Sequence, residues 1–278
     1  MPVDQALLDE ALAELGASDV RELKTGGQKT VRLVEQAGTE LVMKVIALES
    51  GSPDALRRAQ REVELLQQID NPHVVKVASD LVELGAPVHG VTWLEKYLEG
   101  DDLSDLFAAP WDWDATKQMG IHVADGLGAM HGVSVVHRDL SANNVRRTAG
   151  GLYVVMDPGF ARHTLRSGLT VGGQPGTYGF LSPEHLGAFS GVPTPASDVF
   201  CVGILAFVAL TGELPIAFSG DVSDYIDRLG RVEVTDIETL RNDLSPDRLA
   251  IIRRMLHPQP ARRPRNGLRL KSALEGIA

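Results

Sequence analysis

Short apolar runs fill the first hundred residues, and a helical period takes over after them. Thr30–Val34, Leu41–Ile46, Val74–Ala78 and Val91–Leu94 are rich in β-branched residues and bounded by turn formers, which predicts strands. Ahead of them, residues 1–16 predict an acidic amphipathic helix ended by Gly16, with Leu7, Leu8, Leu12 and Leu15 on one side. From Asp54 to Ile69, the apolar positions Leu56, Ala59, Val63, Leu66 and Ile69 predict a helix between strands. Beyond Gly100 the pattern is mainly helical. Leu103–Phe107 comes first, then Ala115–His131, whose Met119, Val123, Leu127 and Met130 share a face that Gly132 ends. A hairpin pairs Asn144–Arg147 with Leu152–Met156 around Ala149, Gly150 and Gly151. Val199–Leu210 is apolar all round, as a buried central helix reads. Helices near Asp221–Leu229, Pro246–Met255 and Leu268–Leu274 follow.

Composition narrows the class. A chain of 278 residues, 44% hydrophobic and 23% charged, is long enough for two lobes with a substantial buried core. A net charge of −10 argues against nucleic acid as the main partner, because phosphate binding wants a basic face. A few cations in one cleft still suffice for a nucleotide. The single cysteine, Cys201, excludes an internal disulfide framework, fits a reducing compartment and reads as a buried structural thiol. The first residues lack the basic start of a signal peptide, and Val199–Leu210 is too short for a bilayer that needs about 20 residues. A cytoplasmic location with no membrane segment is the expectation.

The chemistry concentrates in His137, Arg138, Asp139 and Leu140, followed by Asn144 and then Asp157, Pro158 and Gly159. Two carboxylates and a carboxamide at these intervals suit one job. Asp139 takes a hydroxyl proton, while Asn144 and Asp157 hold Mg²⁺ against a triphosphate. His137 reads as a packed scaffold residue. Arg138 suits a phosphorylated or acidic loop, since guanidinium binds phosphate bidentately. Lys44 stands in an apolar strand, where an ammonium needs a partner. Glu62 borders the apolar stripe of the Asp54–Ile69 helix and is the carboxylate expected to pair with it. Gly26 and Gly27, between strands and ahead of Val31, let backbone amides approach phosphates.

Taken in order, these motifs resemble a eukaryotic-type serine/threonine protein kinase domain of the small bacterial form, from about residue 18 onward. The resemblance implies an α+β, bilobal, protein-kinase-like fold. Residues 1–17 would be a helical extension, 18–97 an N-lobe of antiparallel sheet with one regulatory helix, and 98–278 a mainly helical C-lobe. It implies ATP with Mg²⁺, or Mn²⁺ in its place, and Lys44 on the α- and β-phosphates. Adenine would meet the backbone near Tyr97 and Leu98, with Val42 above the base, Glu95 at the adenine end and Asp102 at the ribose. Ser182, Pro183 and Glu184 resemble the family's Ala-Pro-Glu, so Glu184 should pair with Arg263, and Asp198 should cap the central helix and brace the catalytic loop. Thr177 resembles the threonine of the substrate-docking loop. Thr164, Ser167 and Thr170 are candidate autophosphorylation sites, with Thr170 first. Protein substrates and a cognate phosphatase are the partners implied.

Four residues depart from the family pattern. Ser141 replaces a lysine that contacts the γ-phosphate, and Pro158 replaces a phenylalanine under the regulatory helix. Val42 replaces an alanine, and Arg146 stands where an apolar residue forms the adenine floor. They keep two alternatives open: a pseudokinase that signals by binding, and a kinase of small-molecule hydroxyls such as antibiotics or sugars.

Overall fold

The computed structural model describes residues 3–26, 29–48, 53–158, 179–186 and 192–278. Gly27, Thr164, Ser167, Thr170 and Thr177 lie outside the described residues, and so does the side chain of Glu62. The chain divides into two compact units, Met1–Asp70 with Val75–Leu98, and Asn71–Val74 with Glu99–Ala278.

The first unit is built on strands β1 (Ser18–Gly26), β2 (Lys29–Gln36), β3 (Thr39–Ala47), β4 (Val82–Leu84) and β5 (Gly90–Lys96). They form one antiparallel sheet in the order β1-β2-β3-β5-β4. β1 escapes the hydrophobic pattern because it is an edge strand of mostly charged and polar residues, and its register against β2 shifts twice. Val74–Ala78, expected as a strand, is not one. It makes only isolated bridges, Val74 to Val155 and Val77 to Glu95, so its apolar residues are buried without a continuous ladder.

β3 reads as a near-continuous apolar run because both of its faces are covered. Helix α1 (Gln5–Leu15) lays Leu7, Leu8, Ala11 and Leu15 on the face that carries Met43, Val45 and Ala47. Burying each of those leucines stabilises the unit by roughly 1.5–3 kcal/mol. The Asp4 carboxylate caps the helix by accepting from Leu7 N at 2.9 Å, and Gly16, at φ 58°, ends it. Two side chains tie it down: Glu10 Oε1 accepts from Gly85 N at 2.7 Å, and Gln36 Nε2 donates to Leu15 O at 2.6 Å. Gly90 allows this approach, since a Cβ there would stand 2.7 Å from Leu7 Cδ1. Helix α2 (Pro53–Gln67) buries Ala59, Val63 and Leu66, and its Gln67 Nε2 donates to Ser79 O and Asp80 Oδ1, both at 3.0 Å.

The second unit carries helices α3 (Leu103–Leu106), α4 (Trp113–Gly132), α5 (Pro195–Thr211), α6 (Val222–Arg231), α7 (Pro246–Met255) and α8 (Gly267–Glu275). A small sheet joins β6 (Gly100–Asp102), β7 (Val145–Thr148) and β8 (Tyr153–Val155) in that order. α5 is the core, buried on every side from Val199 to Phe207, as its all-round apolar sequence predicts. α4 and α8 cross closely because both lack side chains at the crossing: a Cβ on Gly267 would lie 2.3 Å from Gly128 N. The Cys201 thiol donates to Phe180 O at 3.2 Å, and burial pushes its pKa well up, which makes it inert. Among the described residues no helix is long and apolar enough to cross a membrane. The α+β arrangement expected, an antiparallel sheet with helices followed by a mainly helical region, is the one the chain adopts.

Candidate active site

Between α4 and β7 the chain forms a loop, residues 135–144, that holds most of the candidate chemistry. Its anchor is Asp198, in the first turn of α5 and fully buried. Asp198 Oδ2 accepts from His137 N at 2.8 Å and from His131 Nε2 at 2.9 Å, and Oδ1 accepts from Arg138 N at 3.0 Å. Burial alone would push this carboxyl up. The His131 hydrogen bond, with the field and backbone N–H of His137, outweighs it and holds the pKa below the ordinary carboxylate value. Asp198 therefore braces the loop, but it does not cap the central helix. Thr194 is the N-cap of α5, and Ser197 Oγ accepts from Thr194 N at 2.9 Å. Both Asp198 oxygens are spent on the loop.

His131 and His137 are scaffolding. His131 Nδ1 accepts from Gly267 N at 3.1 Å, so its proton sits on Nε2 and points at Asp198. His137, fully buried, donates from Nε2 to Met156 O at 2.9 Å and accepts at Nδ1 from Asp139 N at 3.3 Å. With both nitrogens of each ring already bonded, to backbone in His137 and to Gly267 N and the Asp198 carboxylate in His131, neither ring has one left for a substrate proton.

The same loop draws two of the three acid and amide candidates together, Asp139 and Asn144. Asn144 Nδ2 donates to Asp139 O at 2.7 Å and reaches Asp139 Oδ2 at 3.4 Å. Asn144 O accepts from Met156 N at 2.9 Å, so Met156, the residue before Asp157, is held from both sides. Arg138 and Asp157 adopt positive φ, 63° and 55°. For residues other than glycine this costs about 1 kcal/mol each, and the neighbouring hydrogen bonds hold it.

At Arg138 the second clamp is His185, which the sequence pattern did not single out. His185 Nε2 donates to Arg138 O at 2.8 Å, while its Nδ1 accepts from Ser182 N at 3.0 Å. The segment around Glu184 is fixed in turn by Arg263. Its five N–H bonds reach Glu184 Oε1 and Oε2 at 3.0 Å each, His257 O at 2.7 Å, Pro258 O at 2.8 Å and Ala196 O at 3.1 Å. The guanidinium also lies 4.6 Å over the Phe200 ring. Burial would raise the Glu184 pKa, but the Arg263 hydrogen bonds and charge lower it below the ordinary value.

In the first unit, the register puts Lys44 opposite Val31 and Trp93, and Val42 opposite Leu33 and Glu95. Because a strand alternates faces, Val31, Val42, Lys44 and Glu95 share the face opposite α1, together with Leu33 and Trp93. Lys44 Nζ lies 2.5 Å from Glu95 Oε1, and both side chains are buried. Glu95, expected at the adenine end of the site, thus stands as an ion partner of Lys44. The expected partner, Glu62, has its side chain outside the described residues. Tyr97 and Leu98 follow β5 directly, and Gly26 closes β1 opposite Lys29. Asp102 and Arg146 face each other across β6 and β7, with Arg146 Nη2 2.7 Å from Asp102 Oδ1. The cation that looked anomalous in the sequence is answered by the acid expected at the ribose, and among the described residues Asp102 Oδ2 receives no hydrogen bond.

A family model of the protein kinase domain matches residues 18–274, and the chain belongs to that family. Among curated relatives it is 31% identical to the serine/threonine-protein kinase PknK of Mycobacterium tuberculosis, over 91% of this chain and 23% of that protein. It is 28% identical to the serine/threonine-protein kinase drp72 of Corynebacterium efficiens, over 91% of this chain and 49% of that one. It is 30% identical to the serine/threonine-protein kinase PknA of Corynebacterium glutamicum, over 77% and 47%. The chain thus spans about a quarter to a half of the length of these relatives.

Proposed function

We propose that this chain is a serine/threonine protein kinase domain, transferring the γ-phosphoryl group of ATP to hydroxyls of protein substrates. The substrate hydroxyl oxygen attacks the γ-phosphorus and its proton passes to the Asp139 carboxylate. The bond to the β,γ-bridging oxygen breaks and ADP leaves with that electron pair. The observation that carries this reading is the knot of Asp139, Asn144 and Met156, braced by Asp198 and His137, which holds an acid and an amide together and fixes the residue just ahead of a second acid.

The donor set fits a hard divalent ion. Among the described residues no three His, Cys, Asp or Glu gather to hold a metal, so a protein-only cage is not on offer. Mg²⁺ needs less, taking one or two protein oxygens beside water and phosphate. With Nδ2 of Asn144 committed to Asp139, its Oδ1 receives no hydrogen bond from a described residue and is left to a cation. Asn144 and Asp157 would hold Mg²⁺ or Mn²⁺, whose charge offsets that of the triphosphate. Lys44 would act on its α- and β-phosphates under Gly26 and Gly27. Val31 and Val42 would pack on the base, the Tyr97 and Leu98 backbone would bind its edge, and Asp102 Oδ2 would take the ribose.

The Glu184–Arg263 pair supports a protein substrate over a small molecule, because it fixes the segment expected to dock a peptide, with Thr177 at the docking loop. Thr164, Ser167 and Thr170 are the proposed autophosphorylation sites, Arg138 is their proposed receiver, and a phosphatase would reset them. One observation favours a second reading, a pseudokinase that signals by binding: Arg146 lies 2.7 Å from Oδ1 of Asp102, the acid expected at the ribose. Incubation with Mg-ATP followed by mass spectrometry decides, beside Asp139→Asn and Asp157→Ala. Phosphate on the unmodified chain and on neither variant supports the kinase. No phosphate on chain or added protein selects the pseudokinase, and phosphate confined to an added aminoglycoside or sugar selects the small-molecule enzyme.

A further inference from the structure

Lys44 and Glu95 stand on neighbouring strands, and the ladder between β3 and β5 runs without a shift from the Leu41–Lys96 pair to the Ala47–Gly90 pair. On its other side Glu95 is bridged by Val77. The carboxylate is therefore carried by a backbone fixed on both edges. Its oxygen Oε1 takes two donors, Lys44 Nζ at 2.5 Å and Trp93 Nε1 at 3.0 Å. Trp93 is fully buried, with its ring centroid 5.8 Å from Lys44 Nζ. The Lys44 and Glu95 side chains are 3% and 2% exposed, so water does little to balance either charge.

We propose that Glu95 is a positioning residue of Lys44: a sheet-borne carboxylate, oriented by the Trp93 indole, that holds the lysine in place. This rests on the reading that Lys44 acts on the phosphates of ATP. A carboxylate on a helix can swing away from a strand lysine. One on the adjacent strand of the same sheet moves with it. Lysine placement in this chain is thereby built into the sheet.

The test has two readouts. The first is brief acetylation by acetic anhydride without nucleotide, with the Lys44 rate followed by mass spectrometry and normalised to Lys76, whose side chain is 70% exposed. Loss of the carboxylate in Glu95→Gln raises the relative Lys44 rate by about 10-fold, and Trp93→Phe, which removes only the orienting N–H, raises it about 3-fold. The second readout is phosphotransfer, in which Glu95→Gln lowers kcat/KM for ATP about 10-fold or more. Equal Lys44 labelling in parent, Glu95→Gln and Trp93→Phe overturns the proposal. Should the parent transfer no phosphate, the kinase reading falls, while the acetylation comparison still decides whether Glu95 holds Lys44. Should Glu95→Gln not fold, Trp93→Phe carries the decision.

Discussion

Replacing Arg263 with methionine removes the cation beneath Glu184 and leaves an apolar side chain in its place. The structure sets the scale. All five guanidinium N–H groups are used, two of them on a carboxylate that is 1% exposed. Breaking a buried pair by removing one partner costs about 3–5 kcal/mol, a large fraction of the roughly 5–15 kcal/mol that holds a domain together. The sign of the pH dependence is the sharper test. In the parent, Glu184 has a folded pKa below its ordinary 4.5, so its contribution is present above that value and is lost as pH falls through the lower folded one. Without Arg263, burial is left as the main influence on Glu184 and raises its folded pKa above 4.5. Stability of Arg263→Met then falls as pH rises from about 4.5 toward 7, where the parent is flat with respect to this group.

Urea unfolding at a series of pH values, followed by tryptophan fluorescence, measures both quantities. Adding Glu184→Met to Arg263→Met should recover at least about 2 kcal/mol at pH 7 and abolish the new pH slope, because the stranded charge is gone. A loss below about 1 kcal/mol for Arg263→Met, or a pH slope equal to the parent's, would refute the reasoning.

Three further outcomes follow from the same geometry. Asp198→Asn replaces one acceptor oxygen with an NH₂ facing donors from His131, His137 or Arg138, so kcat should fall about 10- to 100-fold with KM for ATP nearly constant; steady-state kinetics would show otherwise if the loop were braced elsewhere. Gly90→Ala puts a methyl group 2.7 Å from Leu7 Cδ1 and should cost about 1–3 kcal/mol while speeding amide exchange across residues 5–15, read by hydrogen-exchange mass spectrometry. Chelation of divalent ions should abolish transfer, and added Mg²⁺ should restore it in the parent but not in Asp157→Ala, measured as ADP release.

The helices were legible because they announce themselves locally: α7 was predicted as Pro246–Met255 and begins and ends there. The loop motif was legible for a related reason, since Asp139, Asn144 and Asp157 lie within one hairpin and its approach, so spacing along the chain stands in for distance in space. β1 was not legible, because an edge strand with polar residues on both faces carries no period. Nor was His185, a lone histidine whose work on the Arg138 carbonyl depends on a contact 47 residues away.

Lys44 shows why the remainder was hidden. Its side chain needs a carboxylate, and helical periodicity points to Glu62, whose side chain lies outside the described residues, but says nothing of Glu95. Glu95 lies 51 positions off, and nothing in a strand's own residues states which partner residue faces it. That information is in the register, and the register follows from burial: Met43 and Val45 must meet Leu94 and α1 on one face, which turns Lys44 toward Glu95 and Trp93 on the other. A one-residue slip between β3 and β5 would put the ammonium under α1 among leucines, at a desolvation cost the sheet cannot offset. The apolar packing of α1 against the sheet thus selects the register that joins Lys44 to its carboxylate, and loosening that packing should disturb Lys44 from the far side of the sheet.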